Sequence, residues 1–400
     1  MVPHIREAYN KAFTTERYEA FLQALNSKHP GAIEFRLAET PVFADRQFKY
    51  KILDACESII DVITDPQFRE LTEAAIPDNE RVPNENDHPH MLVFDFGICY
   101  GENNEPEPQL IEMQGFPSLY AFQVFYPDLL REFLPIPAAY SQYLGDYDRD
   151  TYLADLKKVV LGDVPAENVV LLEIKPHAQK TRIDFYCTQD YLGIQPVCIT
   201  ELIREGKKLY YNRNGKKTPI HRIYNRVIFD DLKAQQATLG NFTDITQELE
   251  VQWVPHPNWF YRISKYILPF LRHPYVPPTY FLNEIKQLPP DLGNYVLKPL
   301  FSFAGQGVVI DVTPAEIEKL ESFDHWILQQ KVTYADIIRT PDIPAKAEIR
   351  IMYLWHDDWE RPRPAINLAR LSKGKMIGVS YNKDKTWVGG SVCFFERDNV

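Results

Sequence analysis

Apolar and polar positions along the chain change period several times. Over residues 5–30, Tyr9, Phe13, Tyr18, Phe21, Leu22 and Leu25 recur at helical spacing, which predicts a helix with one buried face. Residues 46–76 carry two more helical patterns, broken near Asp65-Pro66. The stretch 77–90 is polar, contains Pro77, Pro83 and Pro89, and reads as a loop. Asp87-His-Pro-His90 within it has metal-binding residue types, but its proline favours a turn. Met91-Leu-Val-Phe-Asp95-Phe-Gly97 then predicts a buried strand holding one acid. After an acidic loop over 102–107, Gln109-Leu-Ile-Glu112-Met-Gln114 predicts a second strand. Strand alternation puts Glu112 and Gln114 on one face, and pairing of the two strands brings Asp95 near them.

Residues 119–160 read as helical and aromatic-rich. A strand over 169–174, a helix over 181–192 and a strand over 196–200 give an α/β rhythm. Leu209-Tyr-Tyr-Asn212 leads into Asn214-Gly215, the residue pair of a tight hairpin turn. Val254-Pro-His-Pro257 marks a boundary, and 259–271 predicts an aromatic helix containing Lys265. Residues 276–282 form an extended connector, because residues before proline avoid the helical region.

Tyr295-Val-Leu-Lys298 predicts a strand ending in lysine, followed by Ala304-Gly305-Gln306-Gly307 and a β-branched run. Glycines there allow a tight turn and close backbone approach to a ligand. Exposed N–H groups of such a loop can face phosphate oxygens, with Lys298 as a point charge beside them. The alternative is an ordinary hairpin with a surface lysine. A short helix over 314–322, a strand over 326–332 and strands around 348–354, 364–373 and 387–393 complete the chain.

The 400 residues suffice for two or three domains. With 45% apolar and 25% charged residues, they have the balance of a soluble globular protein. A net charge of −11 argues against nucleic-acid binding as the main function. No apolar run reaches the roughly 18 residues of a membrane span, and the N-terminus lacks the apolar core of a signal peptide. Cys56, Cys99, Cys187, Cys198 and Cys393 are scattered, without a Cys-x-x-Cys, as expected of a cytoplasmic protein without disulfides or structural zinc.

Asp95, Glu112 and Gln114 together would suit Mg²⁺, an oxygen-seeking ion that usually keeps substrate phosphates and water. The alternative is strand acids that simply face water. Arg222 and Arg226 read either as bidentate partners for a substrate carboxylate or as ordinary surface ion pairs.

The ordered set Lys265, Pro278-Thr279, Lys298 with its glycine loop, and the 326–332 strand resembles the ATP-grasp superfamily. That resemblance implies two lysines on ATP phosphates, Gly305, Gln306 and Gly307 in a loop over them, and an adenine-reading hinge at Gln329, Gln330, Lys331 and Val332. Asp95 followed by Glu112-x-Gln114 resembles the metal motif of the circularly permuted branch, the eukaryotic glutathione synthetases and glutathionylspermidine synthases. Arg370-Leu-Ser-Lys373 and Val388-Gly-Gly-Ser-Val resemble that branch's late Arg-x-Lys and small-residue loop. Gln114 stands where that branch has Asn, and offers the same amide oxygen on a longer stem.

The resemblance implies an α/β (α+β) ATP-grasp fold: two α+β subdomains clasp ATP beside an α/β substrate domain. Expected divisions are 1–145, with the metal ligands; 146–254, for substrate; and 255–400, with the lysines, loop and hinge. It further implies an ATP- and Mg²⁺-dependent ligase that joins a carboxylate to an amine through an acyl-phosphate. Asp95, Glu112 and Gln114 would hold Mg²⁺; Lys265, Lys298 and Lys373 would hold phosphates. Arg350 or Arg370 would act on the transferring phosphoryl group, Arg222 and Arg226 on substrate, and the 301–307 loop would exclude water. Rival readings are a phosphotransferase on the same site and a non-catalytic nucleotide- or peptide-binding module. Expected partners are small molecules, with neither nucleic acid nor membrane; a homodimer is left open.

Overall fold

The structure, a computed structural model, describes residues 2–398 apart from 102, 302–305, 375–376, 378–381 and 383. It is a mixed α+β architecture organised around a five-stranded antiparallel sheet. Strand order is Gly389–Ser391, Arg363–Ser372, Lys346–Leu354, Met91–Tyr100, Pro106–Gln114. The two strands at its heart, Met91–Tyr100 and Lys346–Leu354, come from opposite ends of the chain.

Both faces of this sheet are covered, which explains the nearly unbroken apolar run from Met91. Leu92, Phe94, Phe96, Ile349 and Ile351 pack on one face with Ile52, Ile59 and Ile60 of helix Arg46–Ile63. On the other, Met91, Val93, Met352, Leu354, Ile366 and Leu368 meet Tyr120, Tyr152 and Leu156. Alternation continues that second face into Asp95, Gly97, Glu348, Arg350 and Arg370. One face is therefore hydrocarbon at one end and charge at the other.

A four-stranded parallel sheet follows the order Gln252–Val254, Arg222–Asn225, Val169–Glu173, Gln195–Cys198. Helices Arg149–Leu161 and Arg182–Leu192 cover one face and Phe229–Leu239 the other. Its strands Val169–Glu173 and Gln195–Cys198 and helix Arg182–Leu192 carry the α/β rhythm read between 169 and 200. In a separate antiparallel sheet, strands Lys208–Arg213 and Lys216–Ile220 are joined by a hairpin turn at Asn214 and Gly215, both with positive φ, as the Asn-Gly pair predicts. A three-stranded antiparallel sheet carries Lys298, in the order Thr279–Phe281, Trp326–Gln330, Tyr295–Pro299.

Several expected elements are interrupted. The 5–30 helix is two, Pro3–Ala12 and Thr15–Lys28, because Thr14 caps the second by accepting from the Arg17 N–H. The helical stretch expected over 119–160 is Phe122–Phe133 and Arg149–Leu161, split by a short strand at Tyr140–Ser141. The 259–271 helix becomes Asn258–Arg262 and a 3₁₀ turn, Lys265–Phe270, whose start is capped by Ser264. Of the β-branched run after the Lys298 loop, Val309 pairs back with Leu297 as an isolated bridge. Among the described residues no helix is long and apolar enough to cross a membrane. The five cysteines are buried and free of disulfides, as expected.

The turn carrying Lys265 docks onto the Glu112–Gln114 strand end through Gly115. The Gly115 N–H donates to the Ile263 carbonyl at 3.0 Å, and a Cβ on Gly115 would lie 2.7 Å from the Trp259 carbonyl oxygen. Gly115→Ala should therefore destabilise the fold by about 1–3 kcal/mol, the usual cost of overpacking. Gly293→Ala meets nothing within 4 Å and should be near neutral in the same urea titration. Equal midpoints for the two variants would refute this account of the docking.

Candidate functional site

The charged end of the central sheet is built by cross-strand register. Arg350 faces Asp95 directly, Asp95 faces Glu112, and Glu348 faces Arg370. Arg350 grips Asp95 with two parallel bonds, Nε to Oδ1 and Nη2 to Oδ2, each 2.6 Å. Arg370 Nη2 adds a bond to Asp95 Oδ2 at 2.9 Å and lies 2.8 Å from Glu348 Oε2. The Tyr334 hydroxyl donates to the other Glu348 oxygen. Gly97 makes room for this, since a Cβ there would sit 2.7 Å from the Tyr334 ring. Burial works against charge on Asp95, but Arg350 and Arg370 outweigh it and hold the carboxyl below its usual range. Burial raises the Glu348 carboxyl despite Arg370.

The three-stranded sheet delivers Lys298 against this network. Its ammonium donates to the Ile111 carbonyl at 2.9 Å and to Gln329 Oε1 at 2.5 Å. Both acceptors are neutral, and Lys298 makes no ion pair among the described residues, although it is only 8% exposed. Burial lowers its pKa to about 8; Glu112 opposes that and Lys265 adds to it. Lys265 is also buried, and burial lowers its pKa against the pull of Glu112. Gln329 Nε2 and Arg370 Nε are buried without an acceptor. A narrow cleft opens here, lined by Glu112, Gln114, Phe260, Ser264, Lys265 and Phe301. A larger cavity of about 220 Å³ lies elsewhere, beside Lys49, whose ammonium is paired with Asp398. We place the site at the smaller cleft, because buried donors without acceptors mark a ligand better than volume does.

No protein-family model matches the chain, and no curated protein matches it. Among solved structures, a glutathione synthetase-like effector from Globodera pallida in its apo form superposes with a TM-score of 0.57. Identity is 12%, and the match covers 94% of this chain and 96% of that one. The chain has a distantly glutathione synthetase-like fold.

Of the expected site residues, Glu112, Gln114 and Lys265 line the cleft, while Asp95, Lys298, Gln329, Arg350 and Arg370 belong to the adjoining polar network. Glu348 and Tyr334 join them unforeseen; Glu348-x-Arg350, two residues on one strand face, was the available signal. Other expected site residues go elsewhere. Arg222 is committed to the fold: its guanidinium donates to the Val159 and Val160 carbonyls ending a helix and to Gln252. Its substrate role is therefore corrected to a helix cap. Arg222 Nη2 also lies 3.9 Å from a carboxylate oxygen of the exposed Asp357, so the alternative of an ion pair with a surface acid is met there, whereas Arg226 is buried and makes no ion pair among the described residues. The Lys373 ammonium is paired with Asp342. Gln330 is exposed, and the backbone N–H groups of Gln330 and Lys331 are spent on the Pro278 and Asn294 carbonyls. Val332 lies half-buried just past that strand. Gln306 and Gly307 are exposed at the loop's end, while Gly305 lies outside the described residues.

Of the expected Mg²⁺ set, Asp95 does not fit, because both its oxygens are held by arginine. Gln114 Nε2 donates to Glu112 Oε1 at 3.2 Å, which leaves Glu112 Oε2 and the Gln114 amide oxygen unspent among the described residues. Among the described residues no three His, Cys, Asp or Glu side chains are grouped to hold a metal. Asp95 is thus corrected from metal ligand to arginine partner.

Asp95→Ala should leave Arg350 buried and unpaired, costing about 3–5 kcal/mol in chemical unfolding. Replacing both partners with apolar residues, Asp95→Leu with Arg350→Met, should recover most of that loss. Additive losses would contradict the pairing.

Proposed function

We propose that the cleft between the central and three-stranded sheets binds ATP, and that the chain is an ATP-dependent ligase joining a carboxylate to an amine. The observation that carries this reading is Lys298: a buried ammonium whose partners are both neutral, with Lys265 beside it. Two desolvated like charges are unfavourable together until an anion enters between them. Polyphosphate supplies that anion.

In this reading the two sheets are the subdomains of an ATP-grasp clasp. Lys298 and Lys265 hold phosphate oxygens, and Gln329 Nε2 supplies a further donor. Arg370, half-buried, stabilises charge on the γ-phosphoryl group. Arg350, enclosed by its pairing with Asp95, positions the network. A substrate carboxylate oxygen attacks the γ-phosphorus, ADP leaves, and an acyl-phosphate forms. An amine then attacks the acyl carbon and phosphate departs, leaving an amide. Positioning and charge stabilisation do most of this work.

Arg226 is the residue proposed to hold the substrate carboxylate. It follows strand Arg222–Asn225, beside Val169–Glu173, where the parallel sheet reverses its strand order. Ligands of open α/β sheets bind at such crevices. Arg226 Nε and Nη1 are buried without acceptors, and the guanidinium lies 4.8 Å from the Phe116 ring centre. Phe116 in turn packs edge-on to Phe260 of the cleft. A second reading, nucleotide binding without turnover, is favoured by the arginine-held Asp95.

Lys298→Met should abolish the ATP-induced rise in melting temperature and ADP release; retention of both would overturn the assignment. Affinity should also fall as pH rises through about 8, where Lys298 loses its proton. Without ligand the sign reverses: burial penalises the protonated form, so stability rises between pH about 8 and the roughly 10.4 of an unfolded lysine. Lys298→Arg, charged throughout, should flatten the affinity profile measured by calorimetry.

A further inference from the structure

We infer that this cleft takes its polyphosphate as the free anion, with arginine standing where a divalent cation would. The inference rests on the reading of the cleft as a polyphosphate site, in either its catalytic or its binding form.

Three observations lead there. Asp95 accepts three charge-assisted bonds, two from Arg350 and one from Arg370, and is 1% exposed. A magnesium ion needs oxygen lone pairs at about 2.0–2.1 Å and near-octahedral geometry. Seating one on Asp95 would expel Arg350, which is itself buried and has no other carboxylate partner among the described residues. Glu348 is spent in the same way, one oxygen on Tyr334 and the other on Arg370.

The second observation is the local balance of charge. Lys265, Lys298, Arg350 and Arg370 gather around Asp95, Glu112 and Glu348, and all are interior or half-buried. Cations outnumber carboxylates. A further divalent cation would be repelled, whereas a polyphosphate would be attracted, and more strongly before magnesium reduces its charge.

The third observation concerns what is unsatisfied. The buried groups of this cluster without partners are donors, Gln329 Nε2 and Arg370 Nε. No fully buried side-chain acceptor of the cluster lacks a partner among the described residues; the acceptors left open, Glu112 Oε2 and Gln114 Oε1, are on half-buried residues at the cleft. A metal site leaves acceptors open; an anion site leaves donors open. Arg370 occupies the junction, bonded to both Asp95 and Glu348 with one nitrogen still free to donate. Guanidinium is suited to that role because it stays charged and presents a planar fork of donors to phosphate.

The test is calorimetry of the full chain with ATP, ADP and inorganic tripolyphosphate, in EDTA and in excess Mg²⁺. Affinity in EDTA should equal or exceed that in Mg²⁺. Arg370→Met should weaken binding in EDTA by about tenfold, the worth of one charge-assisted contact, and Arg370→Lys should recover part of it. Wild-type binding at least about tenfold weaker in EDTA than in Mg²⁺ would overturn the inference while leaving the polyphosphate reading intact. Arg370→Met binding like wild type would overturn the role of Arg370. No binding of any of the three ligands in either buffer would overturn the polyphosphate reading itself.

Discussion

Asp95 and Arg350 face each other across adjacent strands although 255 residues separate them in the chain. Their two-bond contact lies inside the protein, at the point where the second face of the central sheet passes from hydrocarbon to charge. A buried ion pair contributes little net stability over an apolar substitute, because desolvation consumes most of the attraction. What it contributes here is register. A slip of one residue between Met91–Tyr100 and Lys346–Leu354 would turn the charged residue of the slipped strand, Asp95 or Arg350, into the apolar layer against helix Arg46–Ile63 and unpair both. Glu112, Glu348 and Arg370 take their places from that register.

The lysines meet this network through backbone. Lys298 donates to the Ile111 carbonyl, one residue before Glu112, and so ties the three-stranded sheet to the edge of the central one. Lys265 arrives because Gly115 lets the Trp259–Ile263 turn close on the same strand end. Two separate contacts thus set two like charges beside one carboxylate, Glu112, which is half-buried. Burial penalises charge on both lysines, Glu112 attracts both, and Lys265 repels Lys298 less than Glu112 attracts it.

The distant likeness to a glutathione synthetase-like effector concerns the fold. Function has to be argued from the cleft, beside which arginine holds Asp95 and Glu348. A ligase and a nucleotide-binding module would share the lysine pair and Arg226, two of whose nitrogens lack an acceptor, at the switch point of the parallel sheet. The two readings differ in whether the arginine-held network supports phosphoryl transfer or only polyphosphate capture.

Much of this was legible in the residues. The strands around Asp95 and Glu112, the α/β rhythm of the middle segment, the Asn214-Gly215 turn and the Lys298 strand follow from periodicity and turn chemistry, which are local. The helices over 5–30 and 259–271 were overdrawn, because apolar spacing continues through the caps at Thr14 and Ser264 that break them. Side-chain partners were not legible. Arg222 and Arg226 look alike in sequence, yet one caps a helix and the other has two nitrogens without an acceptor. Asp95 has the residue type of a metal ligand, and only the pairing of distant strands spends it on arginine. The sequence by itself determined which residue types reach the cleft, since strand alternation is a property of neighbours. Tertiary structure decided which charges neutralise one another, since that depends on register between segments hundreds of residues apart and on how much water their packing removes.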